Sequence, residues 1–468
     1  MTRLPLHTLV ALLLTGNSAL ADTAANKVSP LTLSAFIEQA TRNDTSFERI
    51  LIDQYKLQYR HDALMPDSDI IADIKYRHHV FLDQDHESPD ASVSLSKLFP
   101  FSGTALALNY NKPVIAAGAV DQSSIELLIT QPIARNAFGK ALSLQGKLIG
   151  IENDIVRYQV VEAYEDYLAG LTATYYNWYT AYENLRTGEA SLRSNQKLMQ
   201  DIRDRQRQKI ALPVDVNKMK LLLIGKQENV IVLQETRDNY RNLIARAVRH
   251  RQPEMLVPVK PDKPAAQVQF ERDYGNFTGN SRTYKTLALL EQQGTLEVKS
   301  AADDILPSTN LLLGYRADGE QWGIENEQRS WFGGIGLRWE LGGSVARARE
   351  SIAKLEHRKT VLSNQDKYEE LHTNLKNLYQ QIEREQALIT IATDKIRLAE
   401  AVLRDEAENY SFGKVTLNDY IVAVNRVDEA RFGFTAHTVA LAKLQIEWLR
   451  LTDQLVQEDR VLQQPAKP

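Results

Sequence analysis

The sequence predicts an α+β membrane protein in which long coiled-coil helical hairpins are joined to a small number of β-strands. Two long stretches, residues 134–212 and 344–463, contain no proline. Since each helical residue advances the chain by about 1.5 Å, the first stretch could extend over roughly 100 Å as a helix. Shorter segments outside these stretches alternate apolar and polar residues, which is the pattern of a β-strand. The same order of elements occurs twice along the chain.

The N-terminus predicts a cleavable secretion signal. Arg3 precedes an apolar run from Leu4 to Leu14, and Ala19-Leu20-Ala21 offers a cleavage site of small residues. We therefore expect residues 1–21 to be removed and the mature chain to be exported. The chain contains no cysteine, which excludes disulfides and thiolate metal sites. The formal net charge of −4 argues against a nucleic-acid partner.

The mature chain is predicted to form two structural repeats, residues 22–250 and 269–456. Each is expected to contain a helix, strands, a very long helix, a turn and a second long helix that returns along the first. Residues 251–268 include four prolines and predict a linker. Residues 457–468 are expected to be a flexible C-terminal tail.

The strand-like segments are rich in aromatic residues and alternate in polarity. In the clearest of them, one face carries Trp331, Ile335, Leu337, Trp339 and Leu341. Apolar-out, polar-in strands with aromatics near their ends are typical of an outer-membrane barrel, although a soluble sandwich would alternate too. We count four to six strands, too few for one chain to close a barrel. Since lipid tolerates no open sheet edge, several chains would have to pool their strands.

Helical spacing and turn residues predict two folded-back helix pairs. Apolar residues of the second long stretch, from Leu371 to Leu403, follow a 4,3 alternation that indicates supercoiled packing. Gly413 can end that helix, and Thr416 is suited to cap the returning one. In the first half, Pro213 suits the first turn of the returning helix.

The two predicted turns correspond to each other in sequence. Aligning Asp215 with Asp419 places Lys209 over Gly413. The first turn therefore has a basic residue where the second has glycine. The residues before it form a basic run, Arg203, Arg205 and Arg207, which could contact a partner protein or simply be a solvated face.

These features together resemble the TolC-like outer membrane efflux proteins, or outer membrane factors. The best-matching segments are TQPIARNAFGKALSLQGKLIGIENDI, GIGLRWELGGSVARARESIAKLE and ENYSFGKVTLNDYIVAVNRVDEA, and the resemblance covers about Leu31–Leu455. It implies a homotrimer in which about four strands from each chain complete a 12-stranded outer-membrane β-barrel. The long helices would form a periplasmic α-barrel, or tunnel. The segment around Phe99–Tyr110 is an additional hairpin, which we expect to be an extracellular excursion.

The resemblance also implies partners. The helical tips would meet a periplasmic adaptor (membrane fusion) protein, which connects to an inner-membrane pump of the RND, ABC or MFS type. The chain would then be the passive export duct of a tripartite efflux or type I secretion system, with no catalysis and no cofactor. The tip positions expected to contact the adaptor are Lys209, Ile210, Ala211, Leu212, Phe412, Gly413, Lys414 and Val415.

A gate is implied at the same tips. Tyr410 is expected to bond Asp215, and Asp419 to form an acidic ring that attracts cations. Crowding in that ring should raise the pKa of at least one carboxyl. Asp215 could instead be a helix-start carboxylate favoured by the helix dipole, and Tyr410 could be an ordinary packing residue. The family's second acidic position and its gate arginine are replaced here by Val422 and Val415.

Other functional classes have less support in the residues. His78 and His79 lack helical ligand spacing, and no HExxH motif occurs. The alternative to a channel is an exported coiled-coil structural or adhesive protein without a pore. Such a protein would keep the helices but would have no use for paired tips and aromatic-rich strands. Within the channel class the cargo stays open among drugs, metals, polysaccharides and proteins.

Overall fold

The computed structural model describes residues 29–65, 69–82, 87–114, 122–261, 268–320, 322–324 and 328–456. The predicted secretion signal and C-terminal tail lie outside these ranges. The helices, in chain order, are α1 (Leu33–Asn43), α2 (Thr45–Leu64), α3 (Lys140–Arg207), α4 (Pro213–Val248), α5 (Phe270–Asn280), α6 (Arg282–Asp303), α7 (Ser344–Ser411) and α8 (Leu417–Leu451). The strands are β1 (Ser29–Leu31), β2 (Ile70–Val80), β3 (Glu87–Phe99), β4 (Thr104–Lys112), β5 (Gln122–Pro132), β6 (Leu256–Pro258), β7 (Ser308–Glu320) and β8 (Gln328–Arg338).

Long helical hairpins dominate the structure, as the proline-free stretches predict. Helices α3 and α7 contain 68 residues each, and the returning helices α4 and α8 contain 36 and 35. Each pair packs side by side, and α3 also contacts α2, α6 and α8. Among the described residues, no helix has an apolar stretch suited to crossing a bilayer.

The segment between the two halves is structured over part of its length. Strand β6 pairs in parallel with β1, and the Val259 amide donates to the Leu31 carbonyl at 3.1 Å. The buried Tyr175 hydroxyl on α3 lies 2.6 Å from the carbonyl oxygens of both Leu31 and Val259. Residues 256–259 of the predicted linker are therefore bonded to the N-terminal strand and, through Val259, to Tyr175 of α3.

A buried charged cluster joins the two halves midway along the chain. Arg282 at the start of α6 donates to Glu165 at 2.5 Å and to Glu162 at 3.0 Å, both on α3. It also donates to Asp453, just beyond α8, at 3.2 Å. The Arg282 side chain is 5% exposed and that of Glu165 is fully buried. Three carboxyls thus share one buried guanidinium.

Burial of the two glutamate carboxyls, together with repulsion among the carboxylates, raises their affinity for protons. Burial raises the pKa of the Glu165 carboxyl to about 7, although Arg282 acts in the opposite direction. Burial and the nearby Asp453 charge raise the pKa of Glu162 to about 7 as well. The folded cluster therefore holds protons near neutral pH that the same carboxyls would release in the unfolded chain.

Six strands form one antiparallel sheet in the order β2-β3-β4-β5-β7-β8. The residues alone predicted four to six strands, and the family resemblance implied about four, with the segment around Phe99–Tyr110 outside the set; the structure has six in this sheet, so the count of four is corrected. The hairpin formed by β3 and β4 lies within the sheet, because β3 pairs with β2 on one side and β4 pairs with β5 on the other. The pairing of one strand with the next is not revealed by the alternation within a single segment.

The turn of that hairpin also lies at the helical end of the sheet, not at the far end. Gly103 in the turn lies against Gly139 at the start of α3. A Cβ on Gly139 would approach the Gly103 amide nitrogen to 2.7 Å. The Gln131 side chain donates to the Ser102 carbonyl at 2.9 Å. Since the helices are periplasmic in the predicted arrangement, the turn is on the opposite side from an extracellular excursion.

We predict that Arg282→Met lowers the stability of the folded chain by about 3–5 kcal/mol, because buried carboxyls lose their cation. The loss should be greater at about pH 8 than at about pH 5.5. The contribution of Glu162 and Glu165 is fully present below pH 4.5 and is lost as the pH rises through about 7. Thermal unfolding of the mature protein at both pH values measures the difference.

Arg42→Met is the matched control, because Arg42 pairs with Glu38 at 2.7 Å on the surface with both side chains more than half exposed. Exposed pairs contribute little, so this variant should unfold close to the unmodified protein at either pH. Equal losses for Arg282→Met at the two pH values would contradict a role of charge in the cluster.

Candidate functional site

The two helical tips have the same backbone geometry. Two residues after the end of α3, Lys209 has a φ of 58°, and two residues after the end of α7, Gly413 has a φ of 71°. In the first tip the Ile210 amide donates to the Arg205 carbonyl at 2.8 Å, and in the second the Lys414 amide donates to the Asn409 carbonyl at 2.9 Å. Both are glycine-type helix ends, and only one of them has the glycine that avoids a penalty there.

Asp215 and Asp419 hold equivalent positions at the start of the returning helices. The Asp215 carboxylate accepts from the Leu212 amide at 3.1 Å, and the Asp419 carboxylate accepts from the Thr416 amide at 3.0 Å. The Thr416 hydroxyl also donates to Asp419 at 2.7 Å and accepts from its amide, which completes a capping box. Both aspartates therefore have a definite structural role in addition to any role in a gate.

Within the single chain, the helix cap lowers the pKa of Asp419. The hydrogen bond from the Thr416 hydroxyl lowers it below its ordinary value, since that bond favours the ionised form. Asp419 is exposed, so its charge faces solvent within a single chain. The cap therefore favours the charge that an acidic ring requires.

Tyr410 links the two tips through an arginine. The Arg205 guanidinium lies 5.2 Å from the centre of the Tyr410 ring and donates to the Tyr410 carbonyl at 3.4 Å. Tyr420 on α8 packs against the same ring at 5.7 Å. Burial and then the nearby Asp215 charge raise the pKa of Tyr410.

The predicted bond from Tyr410 to Asp215 is not formed in the described part of this chain. Asp215 is close enough for its charge to act on the Tyr410 hydroxyl, but its carboxylate accepts from the Leu212 amide instead. Arg205, which the sequence placed in a basic run of open function, provides the contact between the tips. Its partner is 205 positions away in the chain, so no local pattern could have identified it.

An apolar core holds the paired tips together. It contains Leu198, Met199 and Ile202 of α3, Val216 and Met219 of α4, and Leu417 of α8. Beyond this core the ends present apolar side chains to solvent, and Ile210, Leu212 and Phe412 are each more than 60% exposed. The Lys414 ammonium lies 5.3 Å from the centre of the Phe412 ring. The tips therefore offer a mixed apolar and basic surface that is uncovered in the single chain.

A second polar contact joins the hairpins above the tips. Asp428 of α8 is buried and pairs with Lys226 of α4 at 2.7 Å, and the Ser191 hydroxyl of α3 donates to the same carboxylate. Asn195 of α3 donates to the Ser191 carbonyl at 2.8 Å. Three helices are thus connected at one buried carboxylate, which the sequence analysis did not identify.

The sheet at the other end of the helices has two chemically different faces. The apolar face carries every second residue of each strand, and its central members are Ile74, Val93, Leu95, Leu106, Leu108, Ile125, Leu127, Leu313, Tyr315, Trp331 and Ile335. The polar face carries the alternate residues, among them Asp73, Lys75, Ser92, Ser94, Asn109, Asn111, Ser124, Glu126, Arg316 and Asp318. On the apolar face Ile74, Trp331 and Ile335 are at least 70% exposed.

Comparison with known proteins gives matches in structure alone. No protein-family model and no curated protein sequence matches the chain. The outer-membrane channel OprN superposes with a TM-score of 0.69 at 14% identity, covering 90% of this chain and 89% of its own. VceC, an outer membrane protein of Vibrio cholerae, gives 0.68 at 12% identity, over 90% and 95% of the two chains.

The open state of the outer-membrane channel MtrE of Neisseria gonorrhoeae is similar as well. It gives a TM-score of 0.65 at 13% identity, covering 90% of this chain and 89% of its own. All three matches extend over nearly the full length of both proteins, so the likeness includes the sheet and the helical hairpins together. The predicted resemblance to the TolC-like outer-membrane channels is confirmed at the level of the fold.

Proposed function

We propose that this chain is the subunit of an outer-membrane channel that acts as a passive export duct. Three copies would share one β-barrel in the outer membrane and one helical tunnel that extends into the periplasm. The channel would belong to a tripartite efflux or type I secretion system. Its cargo would pass from an inner-membrane pump through a periplasmic adaptor to the outside of the cell.

The exposed apolar face of the sheet is the observation that carries this proposal. A soluble monomer rarely exposes a contiguous apolar surface of this kind, since burial from water is favourable. The six strands contain 9 to 13 residues. A tilted strand needs about 9–11 residues to cross the apolar core of a bilayer. The chemistry and the length of the strands both fit a lipid-facing wall.

The helical end supports the rest of the proposed assembly. Helices of 68 residues would extend roughly 100 Å, which suits a tunnel rather than a globular domain. The uncovered tip residues around Leu212 and Phe412 fit contact with an adaptor. The proposed gate lies beside them, at Asp419, Tyr410 and Asp215, and we add Arg205 to it.

The native mass of the mature protein tests the proposal directly. We expect extraction from outer membranes in mild detergent to give a particle of three copies that forms ion-conducting pores in planar bilayers. A soluble monomer or dimer, absent from the outer-membrane fraction, would overturn the channel proposal. The exported coiled-coil protein without a pore would then be the better account.

The proposed acidic ring makes a prediction about ion selectivity. Asp419→Ala should bring the cation-to-anion permeability ratio toward one, because three ionised carboxylates leave the constriction. Reversal potentials under a salt gradient measure this ratio. Thr416→Val is the matched control, since it removes the hydroxyl of the same helix cap and keeps the Asp419 carboxylate. Equal changes in the two variants would mean that loss of the helix cap, not loss of the ring, is responsible.

The contact between Arg205 and Tyr410 makes a prediction about opening. Arg205→Ala should favour the open channel by about 1–2 kcal/mol, which corresponds to about a five- to thirtyfold change in the closed-to-open ratio. Single-channel open probability measures the effect. Tyr410→Phe keeps the ring and the carbonyl, so its effect should be smaller.

Arg203→Ala serves as the control for Arg205→Ala, because Arg203 is an exposed arginine two residues earlier on the same helix. It should leave the open probability close to that of the unmodified channel. If both arginine variants opened the channel equally, the effect would come from the general basic charge of the tip. An unchanged open probability in Arg205→Ala would exclude the contact from the gate.

A further inference from the structure

The β3–β4 hairpin is joined to the rest of the sheet along both of its sides. All nine residues of β4 have partners on β3, and seven of them also have partners on β5. Strand β3 in turn is paired with β2 over the full eleven residues of that strand. A hairpin that projected away from the wall would leave β2 free to pair directly with β5. Here β2 and β5 are separated by two complete strands.

The faces of the hairpin continue the faces of the sheet. In one row across the sheet, Leu95 of β3 and Leu108 of β4 lie between Ala72 of β2 and Leu127 of β5. In the neighbouring row, Ser94 and Asn109 lie beside the charged residues Asp73 of β2 and Glu126 of β5. The apolar face thus continues across the middle of the hairpin, and so does the polar face. Lys97 and Lys112 lie on the apolar face near its two ends.

The two ends of the hairpin contact different halves of the chain, one end contacting the first half and the other the second. At the helical end, the turn at Gly103 lies against Gly139, where a side chain on either glycine would meet the backbone of the other. At the far end, the Tyr110 hydroxyl donates to the Trp322 carbonyl at 3.1 Å, beyond β7. The Lys112 ammonium lies 4.9 Å from the centre of the Trp322 ring. The hairpin therefore extends over the same height as its neighbours.

We infer that β3 and β4 are wall strands, so that three chains close a barrel of eighteen strands instead of twelve. This inference rests on the proposed trimeric channel. The six strands alternate in direction, so β8 of one chain and β2 of the next would meet antiparallel. That contact is head-to-tail and closes under threefold rotation. It also removes the open edges that lipid does not tolerate.

The additional strands would widen the outer-membrane end of the duct. Barrel diameter grows roughly linearly with the number of strands, so eighteen strands give about one and a half times the width of twelve. The polar face of the hairpin adds uncharged side chains to the lumen at Ser92, Ser94, Ser96, Asn109 and Asn111. Asp90 on the same face is buried and pairs with Arg77 of β2. The exit would be wide and mostly neutral at these strands, and selection among ions would remain with the narrower tips.

Labelling of single cysteines tests the inference, and the chain is suited to it because it contains no native cysteine. Leu108→Cys and Asn109→Cys place a thiol on the apolar and the polar face of β4. Leu127→Cys and Glu126→Cys are matched controls, because they are the register partners on β5 at the same depth. The probe is a membrane-impermeant maleimide applied to trimers reconstituted in phosphatidylcholine vesicles.

We expect the same alternation on both strands. Asn109→Cys and Glu126→Cys should label at least about tenfold faster than Leu108→Cys and Leu127→Cys, because only the polar face meets water. Fast labelling of both β4 thiols, with alternation kept on β5, would overturn the eighteen-stranded wall and leave the proposed channel intact. Loss of alternation on both strands would overturn the wall and the channel together.

A strand count on the unmodified protein gives a second test that needs no substitution. Electron cryomicroscopy of the protein in lipid nanodiscs should show eighteen strands in the membrane layer under threefold symmetry. Twelve strands, with the hairpin outside the wall, would overturn the inference while supporting the channel. A particle without threefold symmetry or without a membrane layer would overturn both.

Discussion

The packing of α3 against α8 is the contact on which the rest of the structure depends. Helix α3 contains 68 residues, and most of the stability of a helix in a protein comes from the packing of its apolar face, so that face must be covered along the helix. Helix α3 is covered by α2, α4, α6 and α8 in turn. The contact with α8 joins the two halves along the helices, since Tyr176 of α3 packs against Val439 and Ala442 of α8. The pairing of β5 with β7 joins the same halves in the sheet.

Buried polar groups then fix how far each helix slides along the next. Apolar stripes of regular spacing can pack in several registers, whereas a buried ion must find its partner. Asp428 meets Lys226 and Ser191 at one level, and Arg282 meets its carboxyls at another. These two levels set the register of α3 against α8 and place the tips side by side. The alignment of Arg205 with Tyr410 follows from that register.

The tip and the sheet are stabilised by different kinds of local structure. At the tip, helix caps and residues with left-handed backbone form a tight turn. The hydrogen bonds from Thr416 favour the ionised form of Asp419, so the tip carries a negative charge at its surface. In the sheet, alternation separates an apolar face from a polar one. The tip has exposed apolar residues, and the outer sides of β2 and β8 have no strand partner among the described residues.

The sequence by itself determined the features whose cause is local. Absence of proline specified the long helices, Gly413 and Thr416 specified a turn, and the alternation from Trp331 to Leu341 specified a strand. Only the tertiary structure decided that the β3–β4 hairpin lies inside the sheet and that Arg205, not Asp215, meets Tyr410. Both depend on which distant segments lie side by side. For the hairpin that choice is made by the pairing of successive strands, and for Arg205 by packing between residues 205 positions apart. The residue pattern of any one segment contains neither.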